Sequence, residues 1–358
     1  RSPTNNTFVN LLLHVDNVMV GTNQNGYVDY LIESVKENFK LSYARSESVL
    51  GVAVQYDLMK RQVCFSQVSY ILQMTEKYKP SLTPVQKNPM RSATESKFKR
   101  SLMGDAPSSK KPYLNLLMAL YWCARSTRHE ILSSCVFFAY FCNCYTDEMY
   151  EELLVILNYL YHTRDNAMSM DLSKFTFDKN KPLHFQLVCD ANFANREDRK
   201  SLVGAFGFIE NCLIFAHCKT TTTTATSSSQ SESDGIYETW KWARFTYNWC
   251  QFLAPFLGMT QIISLPIPIF NDSEAAIAIL TKYINTSRVK HWDVQVFAVR
   301  EDYVYGFIDI IHIKRDKNIA DILTHRPTTE HLNNFCKFVY IQLEIQESQT
   351  RMMYVLKK

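Results

Sequence analysis

His184–Asp190, HFQLVCD, followed by Leu202–Glu210, LVGAFGFIE, and Cys212–Thr220, CLIFAHCKT, is the stretch whose reading decides the fold. Each run has strand length and is rich in β-branched and aromatic residues. Asn211 offers a turn between the second and third, so the three read as a meander. Downstream the pattern changes to a long helix, a strand at Pro266–Phe270 (PIPIF), helices at Ser273–Leu280 and Trp292–Asp302, a strand at Phe307–Arg315 and a last helix. A meander followed by alternating helices and strands predicts an α/β fold: a mixed five-stranded sheet with helices on its faces. The threonine run Thr220–Thr224 fits a strand end or a loop equally well.

Working upstream, Tyr113–Thr163 carries apolar residues at three and four spacing, which predicts a small helical unit. Ser92–Lys111 is polar and basic, contains Gly104 and Pro107, and reads as a linker. Before it, two apolar runs surround Asp16 and Asn17 in LLLHVDNVMV, the composition of a hairpin turn. A helix (VDYLIESVKENF), strands (VLGVAVQYD, QVCFS) and a second helix (YILQMTEKY) come next. The units expected are 1–90, a linker at 91–111, helices at 112–170, the mixed sheet at 180–345 and a tail at 346–358.

Composition narrows the classes. With 46% hydrophobic and 21% charged residues the chain is a globular one, and a net charge of +4 permits a nucleic-acid partner without demanding one. The charge-free stretch Gln251–Phe270 is broken by Pro255, Pro266 and Pro268, so no membrane span is expected. The 10 cysteines include no Cys-x-x-Cys pair and predict reduced, mostly buried thiols in an intracellular setting, cytoplasmic or nuclear. Arg1 opens the sequence without a signal pattern, and we read the chain as a piece of a longer one. Only 9 glycines are present, so either left-handed backbone positions often fall to Asn or Asp or the sequence has drifted from a better-adapted ancestor.

The chemistry is carried by acids. Asp190 closes one apolar run, Asp234 lies early in the long helix, Asp272 follows another apolar run, and Asp321 sits in the short amphipathic segment KNIADILT. Singly, each has a plain reading: a strand-end turn, a helix cap, a first-turn acid, a solvated helix acid. Together at one point they would be driven to the neutral form unless divalent cations held them ionised. Such a site takes hard, oxygen-liganded Mg2+ or Mn2+, two ions, and suits phosphodiester chemistry.

The ordered set HVDN, VLG, CFSQ-x-x-YI, TRHEI, DAN-x-A-N-x-x-DRKS, SQSESDGIY, NDSEAAIAI, VKHWDV and ADILT resembles the C-terminal part of a copia-type retrotransposon Pol polyprotein. The resemblance runs from about residue 10 to about residue 340. It implies a partial reverse transcriptase palm at 1–90, a helical thumb or connection at 112–170 and a ribonuclease H-like domain at 180–345. It also implies that Asp190, Asp234, Asp272 and Asp321 are the catalytic, metal-holding acids. The family has Glu on the first helix of that domain where this chain has Asp234, and Glu232 is the alternative ligand. Two residues along a helix point elsewhere, so only one of the pair can face the site.

The substrate implied is the RNA strand of an RNA–DNA hybrid. The missing N-terminal polymerase portion is a possible partner, and no membrane is expected. Arg199, Lys200 and Ser201 are candidate contacts to the nucleic-acid backbone, with Lys290, His291, Lys314 and Arg315 as further ones. The polymerase half departs from the family. Its paired acids read Asp16-Asn17, and neutral Asn is a poor metal ligand, so polymerase activity is not expected. The competing reading is a decayed element fragment that only binds nucleic acid.

Overall fold

The computed structural model describes residues 9–14, 17–22, 26–37, 42–45, 48–57, 59–82, 87–173, 175, 178–282, 293–342 and 354–357. The first part holds β1 (Val9–His14), β2 (Asn17–Thr22), α1 (Gly26–Lys36), β3 (Ser42–Arg45), β4 (Ser48–Val49), β5 (Val52–Asp57), β6 (Gln62–Ser66) and α2 (Val68–Tyr78). β1 and β2 are antiparallel with His14 opposite Asn17, so Asn17 belongs to a strand. Asp16 lies outside the described residues.

The stretch read as a linker is folded: α3 (Thr94–Lys97) and a short 3-10 turn at Arg100–Leu102 lie in it, and Thr94 and Phe98 are buried. Next come α4 (Tyr113–Ser126), α5 (Leu132–Ala139), α6 (Asp147–His162) and β7 (Asn166–Asp171). The apolar periodicity predicts these helices well. Leu116, Leu117, Leu120 and Cys123 of α4 and Leu153, Ile156, Leu157 and Leu160 of α6 are all buried. Thr146 caps α6 by accepting from Met149 N at 3.2 Å.

The decisive meander forms as read, with β8 (Phe185–Asn192), β9 (Leu202–Ile209) and β10 (Cys212–Thr220). Glu210 and Asn211 turn the last two, both left-handed. Then come α7 (Ser228–Leu257), β11 (Ile267–Asn271), α8 (Glu274–Thr281), α9 (Asp293–Val304), β12 (Ile308–His312), α10 (Asp321–Thr324), α11 (Thr329–Val339), β13 (Tyr340–Gln342) and β14 (Tyr354–Lys357). The strand order β10-β9-β8-β11-β12 makes the expected mixed five-stranded sheet: β8, β9 and β10 are antiparallel, whereas β11 runs parallel to β8 and to β12. Parallel strands place their carboxyl ends together, where crevices form in such sheets. Among the described residues no helix is long and apolar enough to cross a membrane.

The sheet is covered on both faces. Phe185, Leu187 and Cys189 of β8 pack with Ile236 and Ala243 of α7 and with α8 and α9. Phe206 and Phe208 of β9 pack the other way, into a core shared with α4, α5, α6, α10 and α11. Phe206 stacks on Phe335 at 5.0 Å, and truncating a buried Phe of this kind costs about 3–5 kcal/mol. The helical unit therefore serves as one wall of the mixed sheet.

A second five-stranded sheet, β13-β7-β6-β5-β4, joins the chain before the meander to the chain after it. A buried polar cluster pins that junction. Arg128 Nε donates to Glu130 Oε1 at 2.8 Å, its other nitrogens reach Thr163 O and Oγ1 at 3.0 and 2.6 Å, and Tyr340 Oη donates to Glu130 Oε2 at 2.5 Å.

Two expectations are corrected or sharpened. Among the described non-glycine residues with positive φ, Asn211 stands beside Leu50, Arg61, Lys79, Ala194, Arg199 and Glu210, so Asn and Asp do not take over the left-handed positions. Gly51, Gly258 and Gly306 also take left-handed positions, while Gly204 serves close approach. At Gly204 an added Cβ would lie 2.5 Å from Leu323 Cβ. The cysteines are free, and all but Cys142 and Cys336 are buried, as expected.

Candidate metal centre

Asp190 is the hub. It lies on β8 opposite Gly204 and points away from the face of Phe185, Leu187 and Cys189, because strand side chains alternate. It is 4% exposed, and neutral groups hold both its oxygens: Asn318 Nδ2 donates to Oδ1 at 3.2 Å and Thr324 Oγ1 donates to Oδ2. Burial pushes its carboxyl up to about 6; Thr324 and His325 oppose the shift, while Asp272 and Asp321 add to it.

Two sets of ligand atoms meet here, each within 4.8 Å: Asp190 with Glu232 and Asp272, and Asp190 with Asp321 and His325. The acids arrive from four different elements, and His325 follows Asp321 at the end of the same short helix. Asp272 follows β11, whose carboxyl end adjoins that of β8. The cap of the next helix is Ser273, which accepts from Ala276 N at 3.3 Å, so Asp272 is not that helix's N-cap. Asp321 opens α10, which the missing side chain of Gly204 lets lie against β9. His325 Nε2 stands 3.9 Å from Asp190 Oδ2 and 4.0 Å from Asp321 Oδ1, and His331 Nδ1 stands 3.3 Å from Asp321 Oδ2.

Glu232, not Asp234, completes the first set. Both lie on α7, whose N-cap Ser227 accepts from Gln230 N at 3.2 Å. Gly235 of α7 faces β8, where an added Cβ would sit 3.4 Å from Ala191 Cβ and 3.5 Å from Asp190 O, ordinary contact distances. Glu232 is in register with the buried Ile236, Thr239 and Ala243, spaced as i, i+4, i+7 and i+11. Asp234 is buried but falls about 200° further round the helix and joins neither set. Asn271 Nδ2 donates to Glu232 Oε2 at 3.0 Å, and burial together with Asp190 raises the Glu232 carboxyl to about 8.

Donors of this kind suit a hard cation. Acidic oxygens dominate, and they converge from separate elements. Burial drives Asp190 and Glu232 toward the protonated form, which a bound divalent ion would reverse.

The candidate backbone contacts fare differently. Ser201 is fully buried; its Oγ accepts from Ala194 N at 3.2 Å and its N donates to Thr221 Oγ1 at 3.1 Å, so it closes a loop and cannot meet a substrate. Arg199 occupies a left-handed, exposed turn, and Lys200 Nζ lies 3.6 Å from Asp198. Lys314 and Arg315 are exposed beside a 3-10 turn. Lys290 and His291 lie outside the described residues. Sequence reading missed Asn271, Asn318, Thr324, His325 and His331. The i+4 spacing of Asp321 and His325 was the available signal.

No protein-family model matches the chain. The chain is 24% identical over 331 residues to the Retrovirus-related Pol polyprotein from transposon TNT 1-94 of Nicotiana tabacum, a match covering 89% of this chain and 23% of that polyprotein. It is similar to part of a transposon Pol polyprotein. The ordered motifs imply the same likeness, and the chain spans under a quarter of that relative's length. Among solved structures it is similar to an RNase H1 isolated from compost, at 14% identity and TM-score 0.29 over 42% of this chain and 97% of that one. RNase H1 from Halobacterium salinarum gives 18% and 0.26, covering 42% of this chain and 98% of that one. The N-terminal RNase H domain of a Mycobacterium tuberculosis protein gives 12% and 0.27, covering 43% and 97%.

Proposed function

We propose that the chain hydrolyses the RNA strand of RNA–DNA hybrids, using two Mg2+ or Mn2+ ions held by Asp190, Glu232, Asp272 and Asp321. The observation that carries this reading is that Asp190 belongs to both ligand sets, so its carboxylate would be shared if each set held an ion. When bound, such ions activate a water and stabilise the departing 3'-oxygen. The protein's own part is to hold the ligands. Asn318 and Thr324 fix Asp190, Asn271 aims Glu232 and His331 braces Asp321.

Choice of the RNA strand falls to the 2'-hydroxyl and the shape of the hybrid minor groove. Products carry 5'-phosphate and 3'-hydroxyl ends. The polymerase half takes no part in synthesis, since Asn17 stands where the second of a paired set of acids is expected. The test is cleavage of a labelled hybrid with Mg2+ and with Mn2+, using Asp272→Asn as control. Metal-dependent cut RNA, lost in the variant, supports the nuclease. Absence of cleavage by the unaltered chain leaves only a nucleic-acid-binding fragment.

A further inference from the structure

A cavity of about 290 Å³ adjoins the acid cluster on the side of the helical unit. Three segments build it: residues 90–100 of the stretch read as a linker, the end of α5, and the loop joining β8 to β9. Thr324 and His325 close it, and these same residues contact Asp190. Whatever enters this space therefore shares a wall with the candidate metal centre.

The lining has two chemistries. Phe137 and Tyr140 are half-buried beside the buried ring of Phe141, with centroids 5.4 and 5.3 Å from it, which makes an aromatic wall. Lys99, Arg100 and Arg196 bring positive charge. The guanidinium of Arg196 lies 4.6 Å over the Tyr140 ring and donates from one terminal nitrogen to Val136 O at 3.0 Å. Its Nε is buried without a hydrogen-bond acceptor among the described residues.

Of the two acids on the lining, Glu197 is already engaged: Ser101 N and Ser101 Oγ donate to its two oxygens at 2.8 Å each. That latch ties the folded linker to the β8–β9 loop and holds the cavity walls together. Glu95 is the other acid, set against three cations.

Resting on the hybrid-nuclease reading, we propose that this cavity receives one nucleotide of the strand being cut, next to the scissile phosphate. Its base lies on the Phe137–Tyr140 wall and its phosphate faces Lys99, Arg100 and Arg196. Aromatic faces accept any base, and cations engage phosphate without reading sequence. The cavity therefore positions the strand and leaves it free in sequence.

The test uses the full chain in EDTA, so that binding is read without cleavage. Isothermal titration with AMP, adenosine and inorganic phosphate separates the two chemistries. AMP is expected to bind more tightly than either of its parts. Lys99→Glu with Arg100→Glu, both on exposed or half-exposed side chains, should raise the AMP dissociation constant about tenfold, as loss of charge-assisted contacts does, and leave adenosine unmoved. Tyr140→Leu should weaken AMP and adenosine alike by about tenfold.

Absence of AMP binding to the unaltered chain overturns the proposal. So does an affinity that neither the charge-reversed variant nor Tyr140→Leu changes, each checked as folded by its thermal melt. Hybrid cleavage assayed in parallel keeps the two readings apart. Cleavage without AMP binding removes the cavity and leaves the nuclease, whereas AMP binding without cleavage removes the nuclease and with it the assignment of the bound nucleotide to a cut strand.

Discussion

Glu130 and Asp190 are both buried carboxylates, yet their surroundings differ at every oxygen. Around Glu130 the protein supplies a complete answer: Arg128 is its fixed counter-charge, Tyr340 covers the second oxygen, and Thr163 takes up the remaining guanidinium donors. Around Asp190 it supplies Asn318 and Thr324, which are neutral, and then brings Asp272, Glu232 and Asp321 close. An ion pair closed on itself fixes structure. Acids gathered without a cation are costly to the fold and are kept where an external cation completes them.

The largest effect is expected at the closed pair. Arg128→Met strands Glu130 in the core and should cost about 3–5 kcal/mol in urea unfolding. Adding Glu130→Gln should restore part of this by removing the uncompensated charge; a double variant as unstable as the single would mean that packing, not charge, sets the loss. At the open cluster the order reverses. Asp190→Asn should lower metal-dependent hybrid cleavage by about a hundredfold to a thousandfold, while the metal-free protein melts no lower than the unaltered one. A marked fall in its melting temperature would show that Asp190 supports the fold as Glu130 does.

Gly204→Ala sets a Cβ against Leu323 and should cost about 1–3 kcal/mol, and it should weaken Mg2+ binding by displacing α10. Calorimetry with the metal reads both. The pH response is the next check. Glu232 titrates at about 8 in the folded chain against an ordinary 4.5, so the folded state keeps a proton that the unfolded chain has lost. Its contribution to metal-free stability falls as pH rises from about 4.5 to about 8, and Glu232→Gln should flatten that part of a melting-temperature profile. Saturating Mg2+ should raise the melting point most at the alkaline end. The smallest effect belongs to Asp234→Asn, expected to leave cleavage within the same order of magnitude while Glu232→Gln does not. Equal losses in the two would return Asp234 to the site.

Much of this was readable in the residues. The strands of the mixed sheet announce themselves because β8, β9 and β10 are apolar runs of strand length bounded by turn residues. Asp190, Asp272 and Asp321 stand out through the ordered motifs and not through their local settings, and in the fold Asp272 and Asp321 each come near Asp190. The choice between Glu232 and Asp234 was not settled in that way, although the stripe of Ile236, Thr239 and Ala243 contained it. Helix phase is decided by packing, here by the burial of Ile236, Thr239 and Ala243, and a motif read as a string has no phase. The role of 91–111 was hidden for a related reason. A polar, basic stretch looks loose until Phe98 meets Phe138 on α5 and Ser101 meets Glu197 in the β8–β9 loop, partners that lie far along the chain.

The pairing of β13 with β7 bears on how this molecule can be divided. Residues 340–342 come after the last helix of the mixed-sheet half but complete a sheet laid down before its first strand. Excising 180–345 as a unit would carry off that strand and leave the rim of β7 bare, a template for pairing with neighbouring molecules. The two halves are thus laced rather than joined end to end, and a well-behaved truncation would have to bring β7 along.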